Sequence, residues 1–248
     1  MRAFLEGVAL GLGYFTRLPV PYRVRKVDAK SYGYLALTLP LAGLVLGLLC
    51  SGIFASLSGY ANRYYVAFIV SVCYLFMYGF LHLEAVADVV DAWHGGHSGK
   101  ERYTIMKDPN IGAIGALWTF GLALVKIASM TMLFAADAYS AVVSALILSR
   151  FGAVWVIFLG RFHEGSHFIH KMQKQLMPKE MLWITLFVAA ALLFAGYLWL
   201  LPLTLAAVYL LYRWLQKSFG FVNGDGLGFM IEIVEMGILT GAVFFVNV

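Results

Sequence analysis

The sequence predicts an all-α protein, a polytopic bundle of transmembrane helices. Of its 248 residues, 62% are apolar and only 12% are charged, which is more apolar surface than one soluble core can bury. Several apolar stretches also reach the roughly 20 residues that a helix needs to cross about 30 Å of hydrocarbon. We therefore expect one integral-membrane domain that covers residues 1–248.

Taken in order, the apolar stretches predict about seven spans. They lie near residues 33–57, 64–93, 112–134, 138–160, 181–200, 202–217 and 226–247. Pro202 separates the fifth span from the sixth so closely that we expect a helical hairpin, with the proline just inside its second arm. Residues 4–18 form a shorter, glycine-rich stretch, which we assign to an amino-terminal interfacial or re-entrant helix.

Lysine and arginine residues fall in alternate loops of this arrangement. One set of loops contains only Arg63, whereas the other contains Arg17, Arg23, Arg25, Lys26, Lys30, Lys100, Arg102, Lys107, Arg161, Lys171, Lys174, Lys179, Arg213 and Lys217. Because loops rich in lysine and arginine remain in the cytoplasm, the second set predicts a cytoplasmic basic face. This orientation and anionic lipid headgroups account for the net charge of +5, so we expect membrane lipid and no nucleic acid as a partner.

Three carboxylates lie close together near the end of the second predicted span. Glu84, Asp88 and Asp91 are spaced by four and three residues, which puts them on one stripe of a helix. Each ionised acid at the middle of a membrane helix costs about 2.5 to 3.5 kcal/mol unless a cation neutralises it. The stripe therefore predicts a site for Mg²⁺ or Mn²⁺, because hard divalent cations prefer carboxylate oxygens. Alternatively, the acids are solvated at the helix end or paired with Lys126 and Arg150.

The loop that follows, at residues 100–112, combines basic side chains with a turn. It contains Arg102 and Lys107, then Asp108, and then a Pro-Asn-x-Gly turn that includes Asn110. Basic side chains and backbone donors at the start of the next helix suit a phosphate group. The loop is thus predicted to bind phosphate, with a plain solvated connector as the alternative.

A third acidic segment opens the last predicted span. Asn223 and Asp225 stand in a glycine-rich turn before a helix that carries Glu232 and Glu235. Asp225 either caps that helix or joins the acidic site. The two deeper glutamates would be unpaired in lipid if they faced outward. We expect them to lie at a depth where the two basic residues of the neighbouring spans can meet them.

Four phrases, in order along the chain, resemble those of one known family. They are Tyr-Phe-Thr-Arg-Leu-Pro-Val-Pro at 14–21, the acidic phrase at 82–92, Ile-Met-Lys-Asp-x-x-Ile-Gly at 105–112 and Gly-Asp-Gly-Leu-Gly at 224–228. On these phrases the chain resembles the cobalamin synthases, also called adenosylcobinamide-GDP ribazoletransferases. Four positions depart from the family's phrases: Glu84 occupies an aspartate position, Ala85 and Ala92 replace glycines, and Asn223 replaces a threonine.

The resemblance implies a membrane enzyme of bacteria or archaea, in the plasma (inner) membrane, with its active site facing the cytoplasm. Such an enzyme transfers the adenosylcobinamide-phosphate moiety of adenosylcobinamide-GDP to α-ribazole, or to α-ribazole 5′-phosphate. GMP is released, and adenosylcobalamin or its phosphate is formed. The resemblance also implies Mg²⁺ as the cofactor, with Mn²⁺ as an option, and a single catalytic domain.

The resemblance assigns roles residue by residue. The expected metal ligands are Glu84, Asp88, Asp91 and Asp225, and the candidate catalytic residues are Asp88, Asp91, Asp108 and Asp225. The candidate substrate-binding residues are Arg17, Arg102, Lys107, Asn110, Lys126, Arg150, Arg161, Asn223, Glu232 and Glu235.

Three alternatives come from other classes of protein. The segment from His163 to His167 matches the zinc-protease motif H-E-x-x-H, but its central Gly-Ser suits a helix poorly. The acid spacing also resembles CDP-alcohol phosphotransferases, whose Asp-Gly-x-x-Ala-Arg phrase is missing here. Intramembrane acids line the paths of some transporters, although no two halves of this chain look alike. The oligomeric state stays open, with a homo-oligomer as one option.

Overall fold

The computed structural model describes residues 2–22, 27–96 and 101–245, and within these ranges it contains helices and no strands. The helices are α1 (Arg2–Phe15), α2 (Ala29–Leu57), α3 (Arg63–Tyr78), α4 (Leu83–Gly95), α5 (Arg102–Met106), α6 (Ala113–Ala135), α7 (Tyr139–Leu159), α8 (His167–Gln173), α9 (Pro178–Ala195), α10 (Leu200–Phe219) and α11 (Gly224–Val243). The predicted all-α class is confirmed.

Five of these helices, α2, α6, α7, α9 and α11, are long and apolar enough to cross a membrane, and α3 with α4 makes a sixth if the bent pair counts as one span. The structure therefore indicates a multi-pass membrane protein with five or six spans, whereas the sequence predicts seven. The difference lies at α10, which has sufficient length but carries Arg213, Gln216 and Lys217 in its last turns. These polar residues lower its apolar content below that of the five spans.

The predicted span at 64–93 is wrong as a single helix. The chain breaks after α3, and α4 runs at 78° to it. Gly79 and Phe80 both adopt the left-handed region, with φ of 71° and 56°, and the Gly79 N–H closes the last turn of α3. Glycine adopts this conformation without steric cost, which makes Gly79 a suitable helix end. The break redirects the acidic helix α4 away from the axis of α3.

Helix α1 packs directly on α2 through two glycines. A side chain at Gly7 would meet the Tyr34 Cβ at 2.4 Å, and one at Gly11 would meet the Thr38 Cβ at 2.6 Å. Such close approach between helix backbones requires small residues. The structure thus contains a helix within the predicted segment 4–18, while its interfacial or re-entrant position stays a prediction.

Helix α7 occupies the centre of the bundle and α9 its periphery. In its most apolar stretch, 78% of the residues of α7 are buried, against 17% for α9. Helices α2, α9, α10 and α11 all pack on α7, and α4, α6 and α11 pack on one another. Pro202 lies in the first turn of α10, as predicted. The acidic helices α4 and α11 are therefore neighbours inside the molecule.

Candidate active site

The three carboxylates of the predicted stripe lie on one helix, α4, but they face two different spaces. Glu84 is exposed and lines a cavity of about 150 Å³ between α1, α2, α4, α7, α8 and α11, which we call the small cavity. Asp88 and Asp91 are half-buried and line a cleft of about 860 Å³ between α4, α5 and the start of α6, which we call the wide cleft. Helix α4 thus forms a wall between two compartments, each with carboxylates.

Asp91 holds the start of α6 against α4. Its Oδ2 accepts a hydrogen bond of 2.7 Å from the Gly112 N–H, and its Oδ1 accepts one of 2.8 Å from the Gly115 N–H. The first N–H groups of a helix lack partners within the helix, and a negative charge is favourable there. Both oxygens of Asp91 therefore already have partners in the protein.

Asp225 connects α11 to the loop between α5 and α6. Its Oδ2 accepts hydrogen bonds from Lys107 Nζ at 2.9 Å and from Asn223 Nδ2 at 2.8 Å. The cap of α11 is Asn223, whose Oδ1 accepts the Gly226 N–H at 2.9 Å. Partial burial lowers the pKa of Lys107, but the hydrogen bond and charge of Asp225 outweigh that effect, so the pKa is raised overall. Asp225 is therefore free of the capping role and paired with a stably protonated lysine.

Asp88 lies near four other charged side chains. It interacts with the charges of Asp225, Glu84 and Asp91, all of the same sign, and with Lys107. Within the part of the chain that the structure describes, no three His, Cys, Asp or Glu side chains are grouped closely enough to hold a metal ion by themselves. The acids are thus near one another without forming a complete set of metal ligands.

The turn that opens α6 brings two more predicted residues to the wide cleft. Asp108 and Asn110 both line it. The backbone N–H and the side-chain Nδ2 of Asn110 donate to Asp108 Oδ1 at 2.9 and 2.8 Å, which fixes the turn. The predicted phosphate loop therefore presents polar groups to the same cleft as Asp88.

The three predicted phosphate-binding arginines have their described contacts outside the linings of the two spaces. The backbone N–H of Arg17 donates to the Met77 carbonyl, and its side chain lies against Gly79. Arg102 lies over the Phe219 ring, 5.5 Å from its centre. Arg161 is exposed in the loop before α8. None of the three lines the small cavity or the wide cleft. Among the predicted phosphate-binding cations in the described structure, Lys107 is the one that contacts an acid of the site, Asp225.

A family model described as cobalamin-5-phosphate synthase matches residues 7–243. This chain belongs to the cobalamin-5-phosphate synthase family. It is similar to the adenosylcobinamide-GDP ribazoletransferases of Novosphingobium aromaticivorans (28% identity, 95% of both chains), Pseudomonas fluorescens (30%, 83% of this chain and 86% of the relative) and Geobacillus thermodenitrificans (28%, 94% and 93%). No solved structure matches it. The resemblance predicted from the four phrases is confirmed.

In this member of the family, four residues predicted to bind substrate lie in a buried network instead. Lys126 Nζ lies 2.7 Å from Glu232 Oε2 and 2.6 Å from Glu235 Oε1, and Arg150 Nη1 lies 2.5 Å from Glu235 Oε2. Tyr74 donates its hydroxyl to Glu235 at 2.5 Å. All four charged side chains are at most 2% exposed, which leaves no surface for a substrate. Lys126 and Arg150 therefore pair with the glutamates of α11. The alternative prediction, in which they pair with the acids of α4, is wrong.

The zinc-protease motif does not form a zinc site in the described residues. His163 stands in the loop before α8, and His167 is the first residue of that helix, so the pair does not share a helix face. The ring of His163 stacks on Tyr103 with centres 3.9 Å apart, and its Nδ1 accepts the Gly165 N–H. The family match and this geometry leave the protease, transporter and CDP-alcohol phosphotransferase alternatives without support.

The sequence reasoning missed the aromatic side of the small cavity. Tyr14, His82 and Phe168 line it together with Glu84 and Asp225. Tyr14 and His82 stand within the phrases that carry the family resemblance, but neither has a charge pattern that predicts a role. Phe168 belongs to none of those phrases, so nothing in the sequence pointed to it.

Proposed function

We propose that this chain transfers the adenosylcobinamide-phosphate moiety of adenosylcobinamide-GDP to α-ribazole or α-ribazole 5′-phosphate and releases GMP, the last step of cobalamin assembly. The observation that carries the proposal is the family match over residues 7–243. Curated relatives that cover 95% of the chain bear the name of this activity. The convergence of Asp88, Asp225 and Lys107 from three separate segments agrees with it.

The reaction forms one P–O bond and breaks another. A hydroxyl group of the acceptor attacks the phosphorus next to cobinamide, and the bond from that phosphorus to the oxygen of GMP breaks. Phosphoryl transfer asks a protein mainly to align the reactants and to stabilise charge on the phosphoryl oxygens. Lys107 suits the second task as a cation at the site. Asp88 and Asp225 are the carboxylates that suit removal of the proton of the attacking hydroxyl.

We further propose that Mg²⁺, or Mn²⁺, binds to one or two of the carboxylates of Glu84, Asp88 and Asp225 together with the substrate diphosphate. These carboxylates are hard oxygen donors, and Glu84 and Asp225 both lie within electrostatic reach of Asp88. Mg²⁺ is usually held by one or two carboxylates together with substrate phosphates, which agrees with the lack of a three-residue group among the described side chains. When bound, the ion would neutralise negative charge on the diphosphate.

The other predicted acids take different parts in this proposal. Asp91 becomes a positioning residue, because its oxygens already accept the N–H groups at the start of α6. Asp108 faces the wide cleft with Asn110 and remains a candidate ligand or base.

We also propose that the active site faces the cytoplasm of a bacterial or archaeal cell from the inner membrane. The support is the alternation of basic loops in the seven-span arrangement that the sequence predicts, in which Arg63 alone stands on the other side. Four of the basic residues that contribute to it, Arg23, Arg25, Lys26 and Lys100, lie outside the described residues.

The decisive experiment incubates the purified, detergent-solubilised protein with adenosylcobinamide-GDP, α-ribazole and Mg²⁺. We expect GMP to be released only when the acceptor is present, and we expect a chelator to stop the release until Mg²⁺ is restored. GMP release without acceptor, or none under any of these conditions, would contradict the proposed reaction. Full activity in the presence of the chelator would contradict the metal.

A paired substitution tests the site itself. Asp88→Asn is expected to lower turnover by about 10² to 10⁴, the range typical of losing a positioned acid or base. Asp137→Asn is the matched control, because Asp137 is a carboxylate paired with Arg63 in the loop region between α6 and α7. Equal activity of the two folded variants would remove Asp88 from the mechanism.

A further inference from the structure

We propose that the small cavity binds the flat heteroaromatic base of the acceptor nucleoside, while the wide cleft binds the nucleotide diphosphate of the donor. This inference rests on the proposed function and adds a location for each substrate. It begins from the finding that α4 separates two compartments, with Glu84 on one side and Asp88 and Asp91 on the other.

The volumes of the two spaces distinguish the substrates. Sites for ligands of drug or nucleotide size usually measure about 300 to 1,000 Å³. The wide cleft, at about 860 Å³, lies in that range, whereas the small cavity, at about 150 Å³, has room for one ring system only. A nucleoside diphosphate, and still more a corrinoid, is too large for the small cavity.

The lining of the small cavity suits an uncharged aromatic ring. The rings of Tyr14 and Phe168 lie 5.1 Å apart at one side, and Phe15 and His82, 6.5 Å apart, contribute a second pair. Aromatic side chains attract flat rings through stacked and edge-to-face contacts. Leu39 and Ile231 add apolar surface. The cavity therefore offers shape and aromatic contact to a benzimidazole-like base.

The charged groups at the small cavity suit hydroxyl groups as hydrogen-bond donors. Its charged lining residues among those described are Glu84 and Asp225, both acidic. A ribose hydroxyl can donate a hydrogen bond to either carboxylate. Asp225 also contacts Lys107 at 2.9 Å, so the attacking hydroxyl would lie next to the cation proposed for the phosphoryl oxygens.

The wide cleft suits a diphosphate that binds together with a divalent cation. Asp88, Asp91, Glu101 and Asp108 line it, and no lysine or arginine belongs to its described lining. Carboxylates in this number accept a diphosphate only when a divalent cation accompanies it, and Asp88 is the carboxylate of the proposed metal site that faces this cleft. The cleft thus matches the donor, and the cavity matches the acceptor.

The first test measures the KM of each substrate in the full-length enzyme. Tyr14→Ala is expected to raise the KM for α-ribazole about tenfold and to leave the KM for adenosylcobinamide-GDP unchanged. Tyr64→Ala is the matched control, since Tyr14 and Tyr64 are both 51% exposed and Tyr64 stands at the other end of α3 from the site. Asn110→Ala, in the wide cleft, is expected to raise the KM for adenosylcobinamide-GDP only.

The second test does not depend on turnover. Benzimidazole alone is expected to bind the solubilised protein in a saturable manner, and Tyr14→Ala or Phe168→Ala is expected to weaken this binding while Tyr64→Ala does not. In the assay, benzimidazole should compete with α-ribazole and not with adenosylcobinamide-GDP. Competition with the donor, or binding that both cavity variants leave unchanged, would overturn the subsite. A wild-type protein that binds benzimidazole but never releases GMP would instead contradict the proposed function alone.

Discussion

At the scale of single residues, Lys107 and Asp225 form the contact that joins the phosphate loop to α11. The distance from Lys107 Nζ to Asp225 Oδ2 is 2.9 Å, and Asn223 supports the same oxygen from the other side. The raised pKa of Lys107 means that this side chain keeps its charge throughout the neutral range. A positive charge is thus held at the acidic site before any phosphate arrives.

We predict that Lys107→Met lowers kcat/KM for adenosylcobinamide-GDP by about 10² or more, because a preorganised charge at a phosphoryl group is lost. The measurement is GMP release at varied donor concentration. Lys179→Met removes the same charge at the exposed start of α9, on the periphery, and is expected to retain normal kinetics. If the two variants behave alike, Lys107 acts through net charge and has no specific contact with the substrate.

At the scale of elements, the contact between α4 and α6 depends on the absence of a side chain at Gly115. A Cβ at Gly115 would lie 2.4 Å from Asp91 Oδ2 and 2.6 Å from the Ala87 carbonyl oxygen. The second of these atoms belongs to the backbone, so it cannot move aside cheaply. The position of α4, and with it that of Asp88, thus relies on a close approach that only glycine permits.

We predict that Gly115→Ala lowers both activity and the melting temperature in detergent, because the contact between α4 and α6 must open to admit the methyl group. Gly121→Ala on the same helix has open space around it and should be neutral or stabilising by about 0.5 to 1 kcal/mol, as expected for glycine replaced by alanine inside a helix. Thermal unfolding and GMP release of the two variants provide the comparison. Normal melting and normal activity of Gly115→Ala would show that the contact with Asp91 is unimportant.

At the scale of the whole molecule, a network of buried charges connects helices that are distant in sequence. Lys126 of α6 and Arg150 of α7 meet Glu232 and Glu235 of α11, and Tyr74 of α3 completes the set. Removing one member of a buried ion pair leaves an uncompensated charge and typically costs about 3 to 5 kcal/mol. We therefore regard the network as a structural element that sets how these helices pack.

We predict that Glu235→Gln destabilises the protein by about 3 to 5 kcal/mol, since Lys126 and Arg150 would then share one carboxylate. Tyr74→Phe removes only hydrogen bonds, at about 1 kcal/mol or somewhat more, and serves as the milder comparison. The quantity to measure is the fraction of monodisperse protein that survives heating in detergent. Equal survival of Glu235→Gln and the wild type would show that the pairing contributes little to folding.

Much of the architecture could be predicted from local features of the chain. The length and hydropathy of the apolar stretches predicted the membrane helices. The spacing of Glu84, Asp88 and Asp91 predicted that they share one helix. The break at Gly79 and Phe80 was not predictable, because the apolar pattern continues through it and only the backbone angles reveal it. The span assigned to 202–217 is not confirmed for a different reason, since α10 is long enough to cross a membrane but carries polar residues in its last turns.

The sequence by itself determined that this is a membrane-embedded member of the cobalamin-5-phosphate synthase family. The length of the apolar stretches and the order of the four phrases can both be read directly from the sequence. Only the tertiary structure decided which acids pair within the protein and which face open space. Asp91 meets Gly115, Lys126 meets Glu232, and Glu84 stays at the small cavity. The physical reason is that each buried charge takes its partner from whichever helix packs beside it, and spacing along the chain does not record that neighbour.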